Sequence, residues 1–133
     1  MKRDKLSGIA LIVGAALFLL TMALHPTSGS LEGLVREGRI RVLSHSLGLA
    51  SIPISLFGFM GLTRRLGSGS EVWPVGALLL YGFGAVAALS AAVLNGLAAP
   101  AFAAYVTGSP EAQDTARTVL RYAFLLNSSF AKV

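Results

Sequence analysis

The 133-residue chain is 54% hydrophobic and only 13% charged, well below the roughly 25% charged fraction of soluble domains. Its formal charge of +5 does not point to nucleic acid, because the cations are not interleaved with aromatics and no nucleic-acid-binding module is recognisable. With no cysteine, the chain cannot build a disulfide framework, a thiolate metal centre, an iron–sulfur cluster or a cysteine nucleophile. The charges gather in blocks between apolar runs, as they do in the loops of membrane proteins.

Residues 6–24 form an uncharged run of 19. At about 1.5 Å per residue this matches the roughly 30 Å hydrocarbon core of a bilayer. Lys2, Arg3 and Lys5 precede it. The run is too long for the apolar part of a cleaved signal peptide and lacks a small-residue cleavage pattern. Pro26 and the following Thr27-Ser28-Gly29-Ser30 predict that the first helix stops near His25. Residues 30–42, SLEGLVREGRIRV, place Glu32 before Arg36 and Glu37 before Arg41 at four-residue spacing, which predicts a short interfacial helix weakened by two glycines.

A second span is expected over residues 42–63, where the only group of variable charge is His45. Pro53 near its middle predicts a kink, with Ser51 and Ser55 on hand to satisfy the carbonyl that proline frees. Residues 64–71, RRLGSGSE, are a short polar turn that allows only an antiparallel return. Trp73-Pro74 then opens a third helix with an interfacial aromatic and an N-terminal proline.

Residues 72–106 carry no charge, and as one helix they would measure roughly 50 Å. Asn95-Gly96 and Pro100 suggest a break, giving a third span over about 73–98 and a shorter piece bearing Phe102 and Tyr105. One steeply tilted helix is the alternative. Ser109-Pro110-Glu111 signals a new helix, with a cap, a proline in the first turn and a carboxylate at the positive end of the dipole. Along this helix, over residues 110–133, Arg117, Arg121, Ser128 and Lys132 fall on one stripe about 60° wide. It is expected either to lie amphipathically at the interface or to be a fourth span truncated at Val133. The expected fold is therefore all-α: a single polytopic transmembrane helix bundle over residues 1–133, with three spans and this fourth helix.

Small residues recur at helical spacing in each span: Ser7, Ala10, Gly14 and Thr21; Ser44, Gly48, Ser51, Ser55 and Gly58; Ala77, Gly84, Ala88, Ala91, Asn95 and Ala98. Such seams predict close helix packing, within one chain or in a homo- or hetero-oligomer. Asp4, Glu32, Glu37, Glu71, Glu111 and Asp114 all lie outside the expected spans, which argues against proton-coupled carriers and paired-carboxylate catalysis. Ser44 and Ser46 flank His45 but project about 100° away from it on a helix, and no nucleophile elbow is present. Enzymatic activity is not expected.

The foremost functional expectation is an accessory subunit or assembly factor of a membrane complex, partnered by lipid and other membrane helices. One alternative is a carrier or channel for a neutral or anionic solute, lined by Asn95, Arg117, Arg121 and Lys132. A further alternative is a haem or metal held by His25 and His45, which belong at the same membrane face and titrate near neutrality. The cations before the first span favour a cytoplasmic N-terminus.

Overall fold

The structure is a computed structural model that describes residues 2–67, 72–106 and 110–130. The described residues are all-helical in α1 (Lys2–Ala23), α2 (Leu31–Arg36), α3 (Gly38–Leu66), α4 (Val72–Ala92), a π-helical turn (Val93–Ala98), α5 (Ala99–Val106) and α6 (Pro110–Phe130). Three stretches among them, Asp4–Ala23, Gly38–Leu66 and Val72–Val106, are long and apolar enough to cross a membrane. The turn residues 68–71, the expected cap Ser109, and Lys132 lie outside the described residues.

Helices α1 and α3 form the tightest pair, and the contacts at glycine show how. A Cβ placed on Gly58 would meet Leu11, one on Gly61 would meet Ser7, one on Gly14 would meet Ser55, and one on Gly48 would meet Thr21. The partners run in opposite sequence directions, so the helices are antiparallel. On α1 the contact positions 7, 11, 14 and 21 follow the 3.5-residue repeat of a left-handed helix pair. Close approach is possible because the facing residues lack a side chain or carry a short one. Leu11 and Gly61 belong to this seam although small-residue spacing alone had not marked them.

Helix α3 differs from expectation at both ends. Residues 30–42 do not form one interfacial helix: α2 ends at Arg36, Glu37 is a single turn residue, and the long helix begins at Gly38. The expected Glu32–Arg36 pair is replaced, because Arg36 pairs with Glu37 at 2.9 Å and Glu32 with Arg117 of α6 at 3.3 Å. The helix continues through Pro53 to Leu66. Ser51 donates to the Gly48 carbonyl at 2.7 Å, so its hydroxyl does not serve the carbonyl of residue 49, which the proline frees. The Tyr81 hydroxyl donates to the Ile52 carbonyl at 3.4 Å, and its ring lies 4.6 Å from that of Phe59. These contacts tie α4 to the middle of α3.

The expected break near Asn95 and Pro100 does not occur. Val72–Val106 is one helical run, and its irregularity is the π turn at Val93–Ala98. The widened turn moves the carbonyls preceding Pro100 off their α-helical positions, which relieves the clash that a proline ring makes with the turn before it. Beyond it, α5, α2 and α6 bury an apolar cluster of Leu31, Leu34, Ala99, Ala103, Val106, Ala116 and Leu120. Ser30 caps α2 by accepting from the Gly33 backbone N–H at 3.0 Å. This core sits at the end of the bundle where α1 finishes and α3 begins.

Candidate functional site

The antiparallel seam between α1 and α3 carries on past Thr21 and Gly48. One more step along it reaches residue 25 on one chain segment and residue 45 on the other, and there the seam ends in two histidines. The His25 and His45 rings lie 4.9 Å apart, centre to centre, tilted by 48°. His25 is exposed just after α1, whereas His45 is buried in the second turn of α3.

Three contacts hold the His45 ring. Its Nδ1 lies 2.9 Å from the Arg41 carbonyl, and since a carbonyl only accepts, Nδ1 carries the proton and Nε2 keeps a lone pair. Ser44 Oγ lies 3.3 Å from the same nitrogen and donates to the same carbonyl at 3.0 Å. The serine and histidine thus converge on a shared acceptor, and the serine proton points at the carbonyl rather than at a base. On the other side of the ring is Gly96 of the π turn, where a Cβ would overlap His45 Cβ, Cγ and Cδ2. Glycine is required there because helix α3 leaves no room for any side chain.

Arg41 anchors the chain around this pair. It is only 4% exposed. Its Nη2 donates to the Ser28 carbonyl, which fastens the segment after His25 to α3. Glu37 Oε2 approaches the same guanidinium at 3.8 Å. Sequence spacing had paired Glu37 with Arg41 but had not foreseen the burial. The clue was that Arg41 and His45 share one face of α3, with Glu37 four residues earlier at its N-terminal end.

The 4.9 Å separation fits one of the two cofactors considered for this pair better than the other. A metal–nitrogen bond is about 2.0–2.1 Å, which puts each ring centre about 3.2 Å from a bound metal. Two rings on opposite faces of a haem iron would then stand about 6.4 Å apart. The observed spacing is shorter than a haem sandwich needs and lies within what two imidazoles sharing one tetrahedral ion can take. No group of three or more His, Cys, Asp or Glu is arranged to hold a metal among the described residues, so any ion here would complete its shell from outside the subunit.

The other polar positions lie elsewhere. Asn95 is half-buried within the π turn. Arg117 and Arg121 line a groove of about 460 Å³ between α6 and the start of α2, with Leu31, Leu120, Phe124 and Ser128 on its walls. Asn95 is not part of that wall, so the residues considered for a solute pathway are not brought together there. Arg117 is shared between Glu32 and Asp114, each at 3.3 Å. A backbone hydrogen bond, and then the Arg117 guanidinium, hold the Glu32 carboxyl below the usual carboxylate range against the opposing effect of desolvation.

No family model, curated protein or solved structure matches the chain.

Proposed function

We propose that the chain is a multi-pass membrane protein whose work is helix packing, as an accessory subunit or assembly factor in a membrane complex. The observation that carries this reading is α4. None of its residues is buried within the subunit, although it belongs to the longest apolar run in the chain. Its uncovered face is patterned: Val72, Leu79, Phe83 and Val86 are 75%, 61%, 77% and 62% exposed, and with Gly76 they follow the alternating three- and four-residue steps of a helix-pair seam. A Cβ on Gly76 would meet nothing within 4 Å. The seam between α1 and α3 has the same repeat and is filled, whereas that of α4 is free to receive a helix from another chain.

The absence of native cysteine allows a direct test. Single cysteines placed along α4 in native membranes are expected to crosslink strongly at 79, 83 and 86 and weakly at 81 and 85, with the partner identified by mass spectrometry. Crosslinking without periodicity, or a strictly monomeric protein with nothing co-purifying, would count against the reading.

Orientation follows from the cations. With Lys2, Arg3 and Lys5 on the cytoplasmic side, a cysteine at position 28 is expected to react with an impermeant reagent from outside the cell, and one at position 68 only after permeabilisation. The reverse pattern would invert the topology.

A further inference from the structure

We infer that His25 and His45 form a binding site for a divalent transition-metal ion of the zinc or cobalt type. The inference is independent of helix packing as a function and stands on geometry. The ring centres lie 4.9 Å apart with the planes tilted by 48°, a spacing that two imidazoles on adjacent corners of a tetrahedron can take. His45 is already in the form that a ligand needs. Its Nδ1–H is committed to the Arg41 carbonyl at 2.9 Å, the kind of outer-sphere bond that accompanies metal-bound histidine and leaves Nε2 as the ligating nitrogen.

The surroundings fit the same use. Gly96 packs closely against His45 Cβ, Cγ and Cδ2, which restricts the ring, and it belongs to a π turn, an irregularity enriched at functional positions. His25 lies beyond the last residue of α1, is exposed, and its backbone N–H reaches the Met22 carbonyl at 3.3 Å. One ligand is therefore fixed and the other has access to the medium. Nearby Arg41 is positive, but its Nη2 is turned to the Ser28 carbonyl and towards Glu37. The remaining corners are open to water or to a ligand from another chain. Zinc and cobalt accept imidazole and water together, whereas calcium and magnesium require an oxygen-rich shell.

The test uses the full chain purified in detergent without a polyhistidine tag, stripped with chelator and titrated separately with Zn²⁺ and Co²⁺. The expected result is saturable binding of one ion per chain, or one per two chains where a second copy completes the shell. The cobalt form should show the intense visible absorption of a tetrahedral site. His25→Ala and the near-isosteric His45→Asn should each weaken binding by at least the roughly 10–100-fold that loss of an outer-sphere partner alone costs. Helix content and elution volume should stay unchanged in both variants. Because His25 is exposed, its replacement keeps the test valid even where the buried His45 variant folds poorly. Absence of saturable binding, or binding that survives His25→Ala, overturns the proposal.

Discussion

Replacing Arg41 by methionine is expected to destabilise the protein by about 2–3 kcal/mol, among the largest effects of any single polar substitution in the chain. The guanidinium is buried at 4% exposure in the first turn of α3, where the helix dipole disfavours a cation. It is held there by particular partners: the Ser28 carbonyl, which receives Nη2, and Glu37, 3.8 Å away and itself 23% exposed. Methionine fills much of the same volume but donates nothing. The Ser28 carbonyl would lose its donor, and the Glu37 carboxylate, whose Oε2 is buried without a hydrogen-bond partner, would lose the cation nearest that oxygen and keep only the exposed Arg36, 2.9 Å from its Oε1. Breaking a fully buried ion pair from one side costs about 3–5 kcal/mol, and the partial exposure of Glu37 lowers the figure.

Adding Glu37→Gln to Arg41→Met should recover part of the loss, since it removes the half-buried carboxylate that Arg41 no longer faces. Denaturant unfolding in mixed micelles measures both, and the double-mutant cycle isolates the pair. A loss below about 0.5 kcal/mol for Arg41→Met would show that the arginine is solvated and not structural. The same substitution frees the segment that carries His25, so hydrogen exchange should rise across residues 24–30 before it rises in α1.

These residues also show where sequence reasoning reached and where it stopped. The long apolar helices were legible because apolar runs and blocks of charge are one-dimensional signals. The meeting of His25 and His45 was legible because Pro26 ends α1, and a short loop returns the chain to similar depth. What single-chain spacing could not supply was partner choice. Glu32 is four residues from Arg36 yet pairs with Arg117, 85 positions away, because α6 packs beside α2 and local spacing competes with tertiary contact on equal terms. The end of α2 at Glu37 was hidden for a related reason. Gly38 weakens helix locally, but here it opens α3, with Leu34 and Arg41 buried on either side of the turn. Pro100 signals a break in the sequence, whereas the helix runs on through a π turn whose Gly96 packs against His45, on a helix more than 40 positions distant.

Glycines of like appearance in the sequence are expected to respond with opposite sign, and this separates the filled seam from the open one. At Gly58 an added Cβ would stand 2.6 Å from Leu11 Cγ and 2.9 Å from the Leu11 backbone nitrogen. The leucine side chain can turn aside, but the backbone cannot, so α1 and α3 must separate and loosen the neighbouring contacts at Gly14 and Gly61. Such overpacking costs about 1–3 kcal/mol, only partly offset by the roughly 1 kcal/mol advantage of alanine over glycine in a helix. Gly58→Ala is therefore expected to lower stability in micelles by up to about 2 kcal/mol. At Gly76 the added Cβ meets nothing within 4 Å, so Gly76→Ala should leave the isolated chain unchanged or raise its stability by up to about 1 kcal/mol. In native membranes the Gly76 variant has a second consequence. If a partner helix lies along Val72, Leu79, Phe83 and Val86, the methyl group lifts it from the seam, and crosslinking at position 83 should fall although the chain itself is no less stable. Stability lost at Gly76 in the purified monomer would mean that α4 packs within the subunit after all. Undiminished crosslinking in the Gly76 variant would mean that the seam is covered by lipid, and the proposed role in helix packing would then lose its main support.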